Sequence, residues 1–298
     1  MIPATLIASL LAVSPVLGLT RSPKPTFVDN SYVINEDARF AFNLFFNFTG
    51  ATTLPEGLYS SVYAVSEGTH RYNASNVNVA GGYLQLKVPG AQTKKPYTCG
   101  EVVTTESRIL YASVRTVAIL SEPAGVCNGM FFYHNNTQES DIEWLSDKAS
   151  LSNNGVRKVH FTNQDANRDG STTYKGVTPP SSPTTTEHEY RIDWTEVFVR
   201  FYIDGSLIWE TQSDVPSAAG PWIFNNWSNG DKGWSVGPPK SDAIFKIKDI
   251  DIYYDIDWIV TLGFCCNYVL YSPPSSQRSF KCSFFASPRA RPCHSTSL

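Results

Sequence analysis

At its centre the chain reads Glu139-Ser140-Asp141-Ile142-Glu143, which places a carboxyl group at every second position. Successive side chains of a β-strand point to opposite faces, so this spacing predicts a strand with all three carboxyl groups on one face. Like charges so close together oppose one another's ionisation, and we expect one carboxyl to stay protonated near neutral pH while another is ionised. A proton donor beside a carboxylate nucleophile is the equipment for cleaving glycosidic bonds.

The surrounding sequence predicts an antiparallel β-protein. Short runs rich in Val, Ile, Phe and Tyr alternate with clusters of Gly, Pro, Asn and Ser, whereas helical periodicity is poor. Asp204-Gly205 lies between two such runs and predicts a tight hairpin. We expect an all-β fold, a jelly-roll sandwich of two curved antiparallel sheets. The clearest predicted strands are 39–48, 83–88, 107–120, 130–133, 139–145, 158–162, 188–193, 197–203, 206–211 and 243–254.

The composition bounds the domain organisation. The chain has 298 residues, 42% hydrophobic and 17% charged, with a formal net charge of -3, and its interior contains no linker. No Lys/Arg run is present to grip a phosphate backbone, so nucleic-acid binding is not expected. We predict a signal peptide at 1–18, one β-sandwich domain at 22–255 and a disordered tail at 256–298. The apolar part of the tail, 259–271, is too short to span a bilayer comfortably.

Two further features predict a secreted, extracellular protein, for which association with a cell wall is an alternative. An apolar stretch at 6–17 ends at Gly18, after which we expect signal peptidase to cleave. Four acceptor sequons for N-glycosylation follow, and such sequons matter only in the secretory pathway. The acceptor asparagines are Asn47, Asn73, Asn135 and Asn226.

The six cysteines fall into two groups. Cys99 and Cys127 flank a strand-like stretch and are predicted to form a disulfide, which an oxidising compartment allows. The other four lie in the predicted tail. Because no pair of Cys-x-x-Cys units is present, structural zinc is not expected.

Three segments resemble one enzyme family. Residues 138–144 resemble the catalytic strand of glycoside hydrolase family 16, the concanavalin A-like glucanases, in a secreted, fungal-type form. The signature of that strand is Glu-x-Asp-x-Glu, with or without one inserted residue. Residues 188–205 and 226–234 are similar to later blocks of the family, in the family's order. Ser140 departs from the usual aliphatic residue, and because its side chain points to the opposite face we expect an effect on packing alone.

The resemblance implies a role for each carboxyl group. Glu139 is similar to the family's nucleophile, Glu143 to its general acid/base, and Asp141 to the carboxylate that assists the nucleophile; such a set retains the anomeric configuration. Four strand residues span about 13 Å, whereas retaining enzymes hold the two carboxyl groups about 5–5.5 Å apart. The side chains must therefore lean together, and we expect a hydrogen bond between Asp141 and Glu139.

Aromatic and amide side chains are candidates for sugar binding, because sugar rings stack on aromatic faces while their hydroxyls need polar partners. Trp194 and Trp209 are assigned to the core, whereas Trp227 and Trp234 lie amid Asn, Gly and Ser and favour the cleft. The alternative interpretations are that a tryptophan packs in the core and that His188, as a lone histidine, has a structural role. The predicted substrate-binding residues are Trp144, Gln164, His188, Asn226, Trp227 and Trp234.

Together these features predict a secreted, endo-acting, retaining glycosidase that hydrolyses β-1,3 or mixed β-1,3/1,4 glucans. The expected partner is the polysaccharide substrate, and the protein is expected to be a monomer with no cofactor, no metal and no membrane span. One alternative is a cell-wall transglycosylase of the same family, in which a sugar hydroxyl replaces water. Others are a lectin-like binder and, more simply, a solvated acidic face.

Overall fold

The computed structural model describes residues 19–65 and 68–257, which form an all-β fold. The predicted leader and the tail from residue 258 onward lie outside the described residues. Within the described ranges no helix is long and apolar enough to cross a membrane. Numbered in chain order, the strands are β1 (Thr26–Val28), β2 (Ser31–Val33), β3 (Arg39–Phe40), β4 (Phe42–Asn47), β5 (Leu58–Ser60), β6 (His70–Tyr72), β7 (Val77–Ala80), β8 (Tyr83–Val88), β9 (Tyr97–Thr104), β10 (Ile109–Ile119), β11 (Cys127–Asn135), β12 (Gln138–Leu145), β13 (Lys158–Asn163), β14 (Thr173–Val177), β15 (His188–Trp194), β16 (Val199–Ile203), β17 (Ser206–Thr211), β18 (Trp222–Trp227) and β19 (Ala243–Ile256).

Two large sheets make up the fold. The first, which we call the cleft sheet, has the order β14-β13-β12-β11-β18-β9-β5, with β6 beside β9 in the parallel sense. The second, the outer sheet, has the order β17-β16-β15-β10-β19-β8-β7, and β4 also pairs with β19. A small sheet of β1, β2 and β3 accompanies them. Apart from β6, the neighbouring strands of the large sheets are antiparallel, and the predicted jelly-roll sandwich is confirmed.

The main hydrophobic core combines side chains from both sheets. Ile142 and Phe161 of the cleft sheet and Val114 and Trp194 of the outer sheet are all at most 2% exposed. Burial of apolar side chains from opposite sheets removes their surface from water, which is the main favourable contribution to folding. In β12 the even-numbered side chains point into this core. The odd-numbered carboxyl groups therefore point out of the sandwich.

The predicted hairpin is present between β16 and β17. Ile203 pairs with Ser206, and the two residues between them have positive φ angles, 50° at Asp204 and 75° at Gly205. A two-residue turn with both central φ angles positive follows the right-handed twist of the flanking strands. Asp and Gly tolerate this conformation better than most residues, which explains why the Asp-Gly pair identified the turn.

Trp144 belongs to the core, and its predicted role in substrate binding is wrong. Its side chain is 1% exposed, and Nε1 donates a hydrogen bond to the Ser121 carbonyl oxygen at 3.0 Å. The physical reason is strand alternation: Trp144 follows Glu143 directly, so the two side chains occupy opposite faces of the sheet.

Replacing Trp144 with alanine is expected to lower the free energy of unfolding by about 3–5 kcal/mol, because the change leaves a large cavity in the core. Urea unfolding monitored by circular dichroism measures this loss. Trp234→Ala, which removes a half-buried cleft tryptophan, provides the control and should cost far less stability. Unchanged stability in Trp144→Ala would contradict its placement in the core.

Candidate active site

The three carboxyl groups of β12 form the floor of a cleft on the outward face of the cleft sheet. Glu139 and Glu143 are partly exposed at this floor, while Asp141 between them is only 2% exposed. The central strand position of β12, between β11 and β13, holds the trio away from the sheet edges. A solvated acidic face would leave all three carboxyl groups in water, so the burial of Asp141 excludes that reading.

Burial raises the pKa of all three carboxyl groups, since each charge loses water. The effect is largest at Asp141, whose pKa is raised further by the adjacent charges of Glu139 and Glu143. Asp141 also shares a hydrogen bond with Glu139, which lowers the pKa of Glu139 and raises its own. The hydrogen bond expected from strand geometry is thus present, and of its two partners Asp141 has the more strongly raised pKa.

Glu143 accepts hydrogen bonds from two other side chains. Cys127 Sγ lies 3.1 Å and Trp234 Nε1 lies 3.2 Å from the same oxygen, Oε1. Burial raises the pKa of Glu143, whereas the two donors lower it. The environment of Glu143 therefore differs from that of Glu139, as separate roles in acid and nucleophilic chemistry require.

The cleft extends to both sides of the carboxyl groups. A cavity of about 780 Å³ lies over β13 and β14, and one of about 380 Å³ lies over β18 and β9. Glu139, Glu143 and Trp227 line both cavities. The carboxyl groups thus lie between two open binding regions.

Three of the predicted substrate-binding residues lie in this cleft. Trp227 borders both cavities and stacks on His70, with ring centroids 5.3 Å apart and an interplanar angle of 15°. Trp234 lines the larger cavity beside Glu143. Gln164 lines the same cavity and donates Nε2 to Asp141 Oδ2 at 3.3 Å. Their binding of sugar stays a prediction, but each is positioned to contact one.

Asn226 is not a cleft residue, and its prediction as a substrate ligand is wrong. It is fully buried between the sheets, where Nδ2 donates to the Leu86 and Ala243 carbonyl oxygens and Oδ1 accepts from Asn128. A glycan cannot be accommodated there, so its assignment as a glycosylation site is also contradicted. Adjacent strand residues face opposite ways, and because Trp227 faces the cleft, Asn226 faces the core.

His188 lies in the outer sheet, on β15, and is not part of the cleft. Its Nδ1 lies 2.7 Å from Asp204 Oδ2, and its Nε2 lies 2.8 Å from the Ser181 carbonyl oxygen. Both ring nitrogens are therefore occupied by structural partners. The predicted role in substrate binding is wrong, and the structural reading of a lone histidine is correct.

The predicted disulfide between Cys99 and Cys127 is absent, and both residues are buried free thiols. They lie on β9 and β11, and Trp227 of β18 lies between them. Two strand spacings, about 9.6 Å, separate their backbones. A disulfide requires Cα atoms about 4.4–6.8 Å apart, so the pair cannot bond without moving the sheet.

A polar network in the smaller cavity was missed by the sequence analysis. Asn225 donates Nδ2 to Glu101 Oε2 and to the Tyr72 hydroxyl, both at 3.1 Å, and the Tyr63 hydroxyl donates to Glu101 Oε1 at 3.1 Å. Burial raises the pKa of Glu101, although these donors oppose the effect. Strand alternation is the signal that finds Asn225, since it is two residues from Trp227 and shares its face.

His160 forms part of the opposite wall, on β13 beside Glu143. Its Nε2 lies 3.1 Å from Asn153 Oδ1, an oxygen that accepts, so the imidazole carries its proton on Nε2. Burial, together with the charge of Lys158, lowers the pKa of His160 to about 4. The ring is neutral near neutral pH and offers Nδ1 as an acceptor.

Gly129 keeps the floor open between Glu143 and Asn225, which flank it on the neighbouring strands. A Cβ atom there would lie 2.6 Å from Asn225 Oδ1, so a larger residue must displace that side chain. Gly129→Ala is expected to lower kcat/KM for the substrate by about tenfold to a hundredfold, through misplacement of cleft groups. Steady-state kinetics measures the loss, and thermal unfolding checks that the fold is kept. Full activity in a stable Gly129→Ala protein would contradict this geometry.

Comparisons with known proteins agree with the fold. The model of the glycosyl hydrolases family 16 matches residues 59–231, which include the carboxylate strand. A β-glucanase from Paenibacillus polymyxa is 27% identical over 163 residues, which are 53% of this chain and 64% of that relative, so the chain matches less than two thirds of its length.

Solved structures of glucanases share the architecture. A β-glucanase from Bacillus licheniformis has a TM-score of 0.59 at 19% identity and covers 70% of this chain and 97% of its own. The laminarinase catalytic domain from Thermotoga maritima has a TM-score of 0.58 at 18% identity, and the match covers 72% of this chain and 98% of the laminarinase domain. At such identities the likeness shows the fold alone. The family model spans more than half of the chain, and the chain belongs to glycosyl hydrolase family 16.

Proposed function

We propose that the protein is an endo-acting β-glucanase that hydrolyses β-1,3 or mixed β-1,3/1,4 glucans with retention of anomeric configuration. The observation that carries the proposal is the carboxyl trio on the cleft floor, with Asp141 hydrogen-bonded to Glu139. The names of the similar proteins, β-glucanase and laminarinase, support the substrate class.

The reaction proceeds in two displacements. Glu139, ionised, attacks the anomeric carbon while Glu143 gives its proton to the departing glycosidic oxygen, so one C–O bond forms as another breaks. Glu143, now ionised, then takes a proton from water, and that water breaks the glycosyl ester and frees Glu139. Two inversions at the same carbon give net retention.

Asp141 stabilises the nucleophile without entering the bond changes. Its proton is directed at Glu139, which limits repulsion between the two groups and fixes the orientation of the nucleophile. Gln164 in turn donates Nε2 to Asp141 Oδ2. Because burial penalises each charge, we propose that the pair carries one negative charge in place of two when Glu139 acts as the nucleophile.

The open shape of the cleft supports endo action. Cavities extend on both sides of the carboxyl groups, so the interior of a long chain can cross the floor without an end being present. Trp227 and Trp234 offer aromatic surface at this floor, and Tyr174 is 71% exposed at the edge of the larger cavity. We propose that these three aromatic side chains stack on sugar rings. We also propose that the protein acts as a monomer, because all the groups named here belong to one chain.

Secretion is part of the same proposal. Asn47 and Asn73 are exposed and Asn135 is half-exposed, so three of the four acceptor sequons are positioned to carry glycans. Deglycosylation of protein recovered from the medium of expressing cells should lower its mass, and N-terminal sequencing should begin at Leu19. An unglycosylated protein retained inside the cells would contradict secretion.

A time course with several polysaccharides tests the function. The protein is incubated with laminarin, lichenan, xyloglucan and a galactan, and product sizes are followed. We expect laminarin or lichenan to yield internal fragments with new reducing ends. Products longer than the supplied oligosaccharide would identify a transglycosylase, and affinity without any turnover would identify a lectin-like binder.

A further inference from the structure

The two hydrogen bonds to Glu143 end on one oxygen. Cys127 Sγ and Trp234 Nε1 lie 3.1 and 3.2 Å from Oε1. Among the described residues, no side chain or backbone group donates to Oε2. The carboxyl group is thus anchored on one side and free on the other.

We propose that Cys127 and Trp234 anchor Glu143 through Oε1, so that Oε2 is the oxygen that exchanges the proton with the substrate, and that Cys127 is a positioning residue for this step. The inference rests on the proposed function, in which Glu143 is the acid/base. It assigns a role to a buried thiol that the two displacements do not otherwise use.

The number of lone pairs on a carboxyl oxygen supports this choice. An oxygen of a carboxyl group accepts at most two hydrogen bonds in its plane, and the N–H and S–H groups occupy both positions on Oε1. A proton on Oε1 would collide with one of these donors. The acidic proton therefore resides on Oε2.

Cys127 is suited to donate permanently. It is fully buried on β11, on the face that carries Glu143 and Trp227. Burial, and then the charge of Glu143, raises the pKa of the Cys127 thiol well above its usual value, so the S–H bond stays intact at neutral pH. A thiol held in this state donates in both protonation states of Glu143.

The donor also influences when Glu143 loses its proton. Hydrogen bonds to the charged form of a carboxyl lower its pKa, so removal of the thiol raises the pKa of Glu143. Because Glu143 must be protonated for the first displacement, the basic limb of kcat/KM then moves to higher pH. The titratable groups that face Glu143 are Glu139 and Asp141 from its own strand, Cys127 from β11 and His160 from β13.

Three variants test the role, and a second thiol supplies the matched control. Cys99 is equally buried on the same face, but its sulfur contacts the Tyr97 and Ser228 carbonyl oxygens and no carboxyl group. Cys127→Ala is expected to lower kcat/KM for β-glucan by about tenfold, mainly through kcat, and to move the basic limb upward. Cys127→Ser, whose hydroxyl donates, restores both values. Cys99→Ala changes neither.

The outcomes separate this inference from the proposed function. If the wild-type protein cleaves β-glucan and Cys127→Ala matches Cys99→Ala in rate and pH limb, the positioning role is overturned and the function stands. If the wild-type protein cleaves no β-glucan, the proposed function fails, and the frequency of the infrared S–H stretch then tests whether Cys127 donates to Glu143. The band lost in Cys127→Ala must then lie at lower frequency than the band lost in Cys99→Ala, since a carboxylate acceptor weakens the S–H bond; equal frequencies overturn the inference.

Discussion

Glu139→Ala is expected to lower kcat/KM for β-glucan by about four orders of magnitude, because Glu139 is the residue that forms the glycosyl ester in the proposed mechanism. The truncated side chain leaves space for a small anion at the anomeric carbon. Azide added to Glu139→Ala should therefore restore turnover of an activated aryl β-glycoside and yield an α-glycosyl azide. Product configuration by NMR measures this rescue.

Glu101 offers a matched control for that variant. It is a buried carboxyl group in the same cleft, but it is hydrogen-bonded to Asn225 and Tyr63 and lies on β9, three strands from β12. Glu101→Gln should weaken substrate binding without abolishing chemistry, and azide should not change its rate. Equal losses in Glu139→Ala and Glu101→Gln, with no azide product from either, would remove Glu139 from the nucleophilic role.

Glu143→Ala is expected to lower kcat/KM for β-glucan by about three orders of magnitude, within the usual range for loss of a general acid. In an aryl glycoside whose phenol is strongly acidic, the phenolate leaves without taking up a proton. The kcat/KM of Glu143→Ala for such a substrate should therefore fall far less. Because Glu143 supplies the basic limb of the pH profile, that limb should also disappear. Kinetics on both substrates across pH measures these effects.

Gln164→Ala separates acid catalysis from general damage to the site. Gln164 donates its hydrogen bond to Asp141, whereas the donors to Glu143 are Cys127 and Trp234. Its loss should therefore affect both substrates to a similar extent and leave the basic limb in place. If Glu143→Ala lost the same factor on both substrates and kept that limb, Glu143 would not be the acid.

Much of the fold was predictable because strand alternation and turn chemistry are local. The spacing of Glu139, Asp141 and Glu143 predicted their common face, and the Asp204-Gly205 pair predicted its hairpin. Strands β9 and β18 were not among the predicted strands. β9 contains Gly100 and Glu101, and β18 contains Asn225 and Asn226, residue types that are depleted in strands. The buried contacts across the sheets offset that preference.

The wrong assignments at the site share one physical cause, because strand alternation and not local composition decides which side chains face the cleft. Asn226 is next to Trp227 in β18 and so faces the core, whereas Asn225 shares the face of Trp227. Trp144 faces the core for the same reason. The partners of His188 and the distance between Cys99 and Cys127 depend on contacts between distant segments, which no local pattern contains.

The anomeric configuration of the first product tests the central claim most directly. Proton NMR spectra are recorded during the first minutes of β-glucan cleavage, before mutarotation mixes the anomers. Double displacement by Glu139 and Glu143 predicts that the β-anomer appears first and that the α-anomer follows slowly. Initial appearance of the α-anomer would show a single displacement by water and would contradict the role of Glu139 as a nucleophile.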